Sequence, residues 1–183
     1  LSGLDSPAAS LSWVRDTSAP MAPLVSAPAA NPYYSNGSSL NISGTCADGN
    51  TVVLSGAESQ TTPCTASAFQ FTVSRSVDGT YAFNLGQTNA AGTPSALSAV
   101  SWHRDTSAPA PLVITAPAQN PLISASSLLL IAGSCENGAT VSLTGDTQNT
   151  ATCAASAFSF SVSKAVDGDY AFSLAQTDRS SNA

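Results

Sequence analysis

The sequence predicts an all-β protein built from two tandem Greek-key β-sandwiches, each closed by one intradomain disulfide. Three observations predict this fold: the chain repeats itself at a fixed spacing, its apolar residues alternate over short segments, and each repeat holds one pair of cysteines. Apolar residues at every second position are typical of strands with one buried face. Many short strands separated by turn residues are typical of a two-sheet sandwich.

The repeat is visible without any insertion or deletion. Residues 13–20 (WVRDTSAP) recur 89 positions later as residues 102–109 (WHRDTSAP). The same spacing relates the cysteines, the aromatic residues of the strand segments and two Asp-Gly pairs. Because an immunoglobulin-sized sandwich has about 100 residues, each repeat is long enough to bury a core of its own.

Two strongly alternating segments lie near the middle of the first repeat. Residues 69–73 and 81–85 place large apolar side chains at every second position, with Asp78 and Gly79 in the connection between them. Asp-Gly favours a tight turn, so we expect these two strands to be antiparallel neighbours. The second repeat carries the same pattern.

A second hairpin is predicted upstream, where residues 40–46 lead through Asp48-Gly49 into the apolar residues 51–54. The polar residues 55–63 that follow are typical of a loop. No segment of useful length shows the helical period, which agrees with an all-β protein.

A closing strand is predicted over residues 97–104. Val100 and Trp102 alternate there with small and polar residues, so both side chains are expected to point into the core. The Pro-rich residues 105–111 that follow are interpreted as a joint leading into the second repeat.

Cysteine usage indicates the cellular compartment. Four cysteines allow three pairings, but the recurrence of one pair in each repeat favours one bridge per repeat, Cys46 with Cys64 and Cys135 with Cys153. Disulfides persist in oxidising environments, so the sequence predicts an extracellular or cell-surface protein.

Charge argues against several kinds of partner. Only 9% of the residues are charged and the net charge is −6, so no basic patch is available to neutralise phosphates. Nucleic acid and anionic membrane surfaces are therefore not expected partners. The sequence also has no apolar run of about 18 residues, and membrane insertion is not expected.

Four motifs follow one another along the first repeat: an Asp-Thr-x-x-Pro start at 16–20, a Gly-x-x-x-x-Gly-x-x-Val segment at 44–52, an Asp-Gly-x-Tyr turn at 78–81 and a closing strand at 100–105. Their order resembles that of the bacterial immunoglobulin-like repeats of large cell-surface and adhesin proteins. The resemblance covers the whole chain and implies immunoglobulin-like sandwiches in tandem. The cysteine pair departs from the commonest members of that family, which lack cysteine.

The repeat boundaries do not coincide with the first and last residues of the sequence. Residues 1–15 match the closing strand of a preceding repeat, residues 16–104 form the first repeat, and residues 105–183 form a second repeat that lacks its closing strand. Leu11 and Trp13 alternate with serines at the positions that Val100 and Trp102 hold in the first repeat. We therefore expect residues 8–15 to act as a donor strand for a second repeat, either in a neighbouring copy or within a longer covalent chain.

Chemical sites are weakly indicated. His103 is the single histidine and has no repeated partner set, so an enzyme is not expected. No cofactor is expected. The alternative is calcium at the domain joint, for which Asp16 and Asp105 are the candidate ligands. Tyr33 and Tyr34, which no matching tyrosines repeat, are weak candidates for ligand binding.

The expected function is that of a structural repeat unit in an extracellular bacterial fibre, stalk or giant adhesin. Repeats that contact only their neighbours provide length and stiffness, and neighbouring copies or repeats are then the partners. The alternative is an adhesin recognition module that binds host glycan or protein through loops at a domain end.

Overall fold

The computed structural model describes residues 9–183, and all the regular structure in that range is β-strand. The first eight residues of the predicted segment 1–15 lie outside the described residues. Within residues 9–183 no helix has the length and hydropathy needed to cross a membrane.

The first repeat forms two sheets. One has the strand order β1-β3-β6 and the other has the order β2-β8-β7-β4-β5, in which β2 runs parallel to β8. The strands are β1 Leu24–Ala27, β2 Tyr33–Ser35, β3 Ser39–Thr45, β4 Thr51–Gly56, β5 Gln60–Pro63, β6 Ala68–Ser74, β7 Gly79–Thr88 and β8 Ser98–Arg104.

The second repeat has the same arrangement with fewer strands. Its two sheets have the orders β9-β10-β13 and β12-β11-β14, and all four pairings are antiparallel. The strands are β9 Val113–Ala116, β10 Leu128–Ser134, β11 Thr140–Gly145, β12 Asn149–Thr152, β13 Ala157–Ser163 and β14 Phe172–Thr177. They correspond in order to β1, β3, β4, β5, β6 and β7.

Alternation of buried and exposed residues produces the core. Along both β6 and β13 every second side chain is buried. Fully burying an aliphatic or aromatic side chain stabilises a fold by about 1.5–3 kcal/mol. The buried apolar residues of the second repeat are Ile131, Ala139, Val141, Leu143, Cys153, Phe158, Phe160 and Val162. The predicted fold of two tandem immunoglobulin-like β-sandwiches is confirmed.

Both predicted hairpins are wrong. β3 and β4 lie in different sheets, and so do β6 and β7; β4 instead pairs with β5 and β7. The alternating pattern shows which face of a strand is buried, but it does not show which strand is the hydrogen-bonded neighbour. In this chain the Asp-Gly pairs connect strands of different sheets.

The predicted loop over residues 55–63 is also wrong in part, because its last four residues form β5. This strand lies at the edge of its sheet and has no fully buried residue, so its polar sequence carries no apolar alternation. An edge strand also tolerates Pro63, since one side of its backbone faces away from the ladder.

The predicted disulfides are confirmed. Cys46 pairs with Cys64, and Cys135 pairs with Cys153, each with a Cα–Cα distance of 5.9 Å and a separation of 18 residues. In each repeat one cysteine follows a strand of the first sheet and the other follows a strand of the second. The bridges therefore connect the two sheets of each sandwich.

The chain forms two compact units that cut across the sequence repeats. One contains the described residues up to 29 together with 41–72 and 83–100, and the other contains 30–40, 73–82 and 101–183. The second unit therefore includes β2, the ends of several first-repeat strands and all of β9–β14. The repeat boundaries at 16–104 and 105–183 remain predictions.

Candidate strand-acceptor site

The closing strand β8 completes the larger sheet of the first repeat. It lies between β2 and β7, and its inward side chains Val100 and Trp102 are 3% and 0% exposed. The sequence predicts this burial, because the two residues alternate with small and polar ones, as on a strand with one buried face.

Side chains of neighbouring segments fix the position of β8. The Trp102 Nε1–H donates a hydrogen bond to Ser35 Oγ at 3.1 Å, and the Ser101 backbone N–H donates to Asn31 Oδ1 at 2.9 Å. The Tyr81 ring lies 5.7 Å from the Trp102 ring. The buried indole therefore has a partner for its one polar group, as buried tryptophans usually do.

The end of β8 is held by an ion pair. The Arg104 guanidinium contacts the Asp78 carboxylate, and its Nε–H donates to the Gly37 carbonyl at 3.0 Å. Asp78 Oδ2 also accepts hydrogen bonds from the Thr106 backbone N–H at 3.0 Å and the Thr106 hydroxyl at 2.8 Å. The Thr106 backbone N–H is the main cause of the lowered pKa of Asp78, with the Thr106 hydroxyl and the Arg104 charge acting in the same direction.

The corresponding edge of the second repeat is uncovered in the part of the chain that the structure describes. β14 pairs with β11 on one side and has no strand on its other side among residues 9–183. Phe172 and Leu174 on β14 are only half-buried, whereas their counterparts Phe83 and Leu85 on β7 are 1% and 0% exposed. We call this uncovered side the β14 edge.

Tyr170 shows the same difference at the start of the β14 edge. Its hydroxyl donates to the Val166 carbonyl at 2.7 Å, as the Tyr81 hydroxyl does to Val77. No tryptophan covers the Tyr170 ring among the described residues, and Tyr170 is 39% exposed. The ring is therefore already held in the orientation that Tyr81 has beside Trp102.

The segment predicted as a donor strand is exposed. Residues 9–15 have no regular structure, and Leu11, Trp13 and Val14 are 96%, 83% and 85% exposed. Leu11 and Trp13 occupy the positions of the buried Val100 and Trp102 in the repeat. Burying these side chains would be favourable, because apolar surface is removed from water.

Three side chains that accept hydrogen bonds from β8 have counterparts in the sequence of the second repeat. All three recur unchanged 89 positions later in the sequence. Ser35 corresponds to Ser124, Asn31 to Asn120, and Asp78 to Asp167. Sequence reasoning missed these residues, although their identity at the repeat spacing was a signal that could have found them.

The predicted ligand-binding residues Tyr33 and Tyr34 lie on β2, beside Trp102 and His103 of β8. The Tyr34 ring stacks on His103 with 4.7 Å between ring centroids, and the Arg179 guanidinium lies 5.5 Å from the Tyr34 centroid. Tyr34, His103 and Arg179 all belong to the same compact unit. The Tyr34 ring is therefore used in contacts within the chain, and ligand binding at these tyrosines remains a prediction.

The calcium candidates form local hydrogen bonds. Asp16 and Asp105 each accept a hydrogen bond from the backbone N–H two residues later, at 2.8 and 2.9 Å. Aspartate commonly stabilises a turn in this way. Residues 9–183 contain no group of three or more histidine, cysteine or acidic residues arranged to hold a metal ion. Calcium at the joint remains a prediction.

Comparison with solved structures supports the fold. The chain is similar to fibronectin(III)-like modules of Clostridium thermocellum CbhA, with 18% identity, 87% of each chain covered and a TM-score of 0.52. A biofilm-associated protein BSP domain matches with 17% identity and a TM-score of 0.31, over 85% of this chain and 26% of that one. No protein-family model matches the chain, and no curated protein matches it in sequence. The similarity to the fibronectin(III)-like modules shows the immunoglobulin-like sandwich fold.

Proposed function

We propose that this protein is a structural repeat unit of an extracellular bacterial fibre, stalk or adhesin, and that its copies join head to tail by strand donation. In this proposal residues 9–15 of one copy lie along the β14 edge of another. The donated strand takes the place that β8 occupies in the first repeat.

One observation carries the proposal: of two closely similar sequences, residues 100–104 lie in a sheet and residues 11–15 are exposed. Trp102 on β8 is 0% exposed, whereas Trp13 is 83% exposed. The buried residues Phe83 and Leu85 of β7, the strand next to β8, have half-buried counterparts on β14. The chain thus presents both an uncovered strand edge and an exposed segment with the sequence suited to cover it.

The energetics favour such pairing. An edge strand exposes unpaired backbone N–H and C=O groups, and an added strand hydrogen-bonds to them. Each large apolar side chain that becomes buried contributes about 1.5–3 kcal/mol. Because the donor and acceptor are different surfaces of one chain, the contact is head to tail, and it builds a filament when the rotation between copies does not close a ring.

An extracellular location is part of the proposal. Two intradomain disulfides are suited to an oxidising compartment. A surface with few charged residues and many serines, threonines and asparagines is suited to repeated contacts with other copies of the chain. The partners are therefore neighbouring copies of the same protein.

The test compares the oligomeric state of the intact chain with that of two variants at exposed positions, Trp13→Ala and Leu11→Ser. Met21→Ser is the matched control, because Met21 is 87% exposed and lies outside the donor segment. Light scattering coupled to size exclusion measures mass over a concentration series, and electron microscopy shows whether rods form.

We expect the intact chain and Met21→Ser to form rods whose mean length grows with concentration, and both donor variants to remain monomeric. An intact chain that stays monomeric throughout the series would rule out donation between copies. Equal assembly by Trp13→Ala and the intact chain would show that a different surface joins the copies.

A further inference from the structure

We infer that Val14 and Ile123 form the specificity-determining contact of the head-to-tail joint, where they take the place that His103 and Tyr34 hold within the chain. This inference rests on the proposed strand donation and names the residues that select the donor. The partner is a second copy of this chain.

The contact within the chain defines the geometry. β2 and β8 run parallel, with Tyr34 directly opposite His103 and Tyr33 opposite Trp102. The rings of Tyr34 and His103 are stacked with an interplanar angle of 12°. If residues 122–124 take the place of β2 and the donated strand takes the place of β8, the same register sets Val14 opposite Ile123 and Trp13 opposite Leu122.

Both members of this pair change together. Two nearby positions keep their side chains at the repeat spacing, since Ser124 and Asn120 match Ser35 and Asn31, whereas the adjacent Tyr33 is replaced by Leu122. At the pair itself an aromatic ring and an imidazole are replaced by two aliphatic side chains. The replacement on one strand therefore matches the replacement on the other.

A third residue, Arg179, is also replaced by an aliphatic residue at the repeat spacing. Arg179 lies over the Tyr34 ring, at 5.5 Å from the ring centroid. Its counterpart at the repeat spacing is Ala90, which belongs to the repeat that follows the donor segment. A cation is stabilised by an aromatic face but not by an aliphatic side chain, so the loss of the arginine accompanies the loss of the ring.

Exposure points to a partner for both aliphatic residues. Ile123 is 93% exposed and Val14 is 85% exposed, and both belong to segments without regular structure. Contact between them removes apolar surface of both from water.

The two pairs distinguish correct from incorrect strand addition. If residues 9–15 replaced β8 in the first repeat, Val14 would take the place of the imidazole and Tyr34 would lose its stacking partner. In addition, Val14 cannot replace the contact between His103 Nδ1 and Thr80 Oγ1, which are 2.8 Å apart. The donor strand is thereby directed to the second repeat, where Ile123 matches it.

The test is a double-mutant cycle in the full-length chain, with Val14→His, Ile123→Tyr and the combination of both. Sedimentation velocity measures the association constant of each protein. Ile114→Tyr is the control, because Ile114 is a 50% exposed isoleucine on β9 that lies outside the proposed contact. Melting curves of dilute monomer confirm that the variants fold.

Each single change is expected to weaken association about tenfold, and the combination is expected to recover most of that loss because the stacked ring pair is rebuilt. Ile114→Tyr is expected to associate like the intact chain. The inference would be overturned if the intact chain assembles and the two changes either leave the association constant unchanged or have additive effects on it. Strand donation itself would still stand in that case. An intact chain that does not associate would instead defeat the proposed function itself.

Discussion

The Trp102 Nε1–H donates a hydrogen bond to Ser35 Oγ at 3.1 Å, and the indole ring is completely buried. Trp13, which precedes an Arg-Asp-Thr sequence at the same repeat position, is 83% exposed. The chain therefore contains a matched pair of tryptophans, one in a filled strand position and one in a free segment.

These two tryptophans should differ sharply in their effect on stability. Trp102→Ala is expected to lower the free energy of unfolding by about 3–5 kcal/mol, since it removes a large buried ring and leaves a cavity. Trp13→Ala is expected to change it by less than about 0.5 kcal/mol in dilute monomer. Urea denaturation followed by circular dichroism measures both, and a similar loss in the two variants would contradict the assigned burial.

A buried glutamine holds the segment that enters the first repeat. Gln87 is 3% exposed; its Oε1 accepts the Ala47 backbone N–H at 3.0 Å, and its Nε2–H donates to the Met21 carbonyl at 2.6 Å. Gln87→Ala is expected to cost about 1–3 kcal/mol, because it also removes the partner of the buried Asn50 amide, whose Nδ2–H donates to Gln87 Oε1 at 3.1 Å. Gln70→Ala, at an exposed position on β6, is the control. Equal melting temperatures for the two variants would argue against this role.

The disulfides should stabilise the repeats without being required for the fold. Closing a loop of this length contributes about 3 kcal/mol in the chain-entropy model. Reduction is therefore expected to lower the melting temperature and to leave the far-ultraviolet spectrum of a β-protein, because the buried apolar residues remain. A spectrum of unfolded chain after reduction at room temperature would show that the core alone is insufficient.

The Asp78 carboxylate should contribute stability that depends on pH. Its pKa in the folded chain lies below the usual 3.8, so the charged form is favoured by folding. The contribution is fully present above the unfolded pKa and is lost as the pH falls through the lower folded value.

Asp78→Asn is therefore expected to be less stable than the intact chain at neutral pH, and the difference is expected to shrink in strongly acidic solution. Asp167→Asn, at the corresponding exposed position of the second repeat, is the control in dilute monomer. Chemical denaturation at a series of pH values measures the difference. A gap between Asp78→Asn and the intact chain that does not vary with pH would contradict the assigned hydrogen bonds.

The sequence is informative about the buried faces and less so about strand pairing. Alternation correctly predicts that Val100 and Trp102 are buried, and repetition of one cysteine pair correctly predicts the bridges. Pairing depends on which sheet a strand enters, and Asp48 and Gly49 connect strands of different sheets here, although Asp-Gly is typical of turns within one sheet. The two predicted hairpins failed for that reason.

The candidate site was predictable only in part. The repeat spacing identifies Leu11 and Trp13 as a closing-strand sequence, but their exposure and the half-buried state of Phe172 are properties of the folded chain. The stacking of Tyr34 on His103 depends on a parallel pairing of β2 with β8, for which local sequence carries no signal. Arg179 was missed because it lies far from Tyr34 in the sequence.

The most direct measurement of strand donation mixes two single-cysteine variants, Val14→Cys and Ile123→Cys, under mildly oxidising conditions. The parallel register of β2 and β8, carried over to the β14 edge, places these residues opposite each other on different copies, at a separation that suits a disulfide. Strand donation predicts that mixed dimers joined through positions 14 and 123 predominate, as shown by non-reducing peptide mapping. Homodimers forming as readily as mixed dimers, or no cross-link at concentrations where the intact chain assembles, would contradict it.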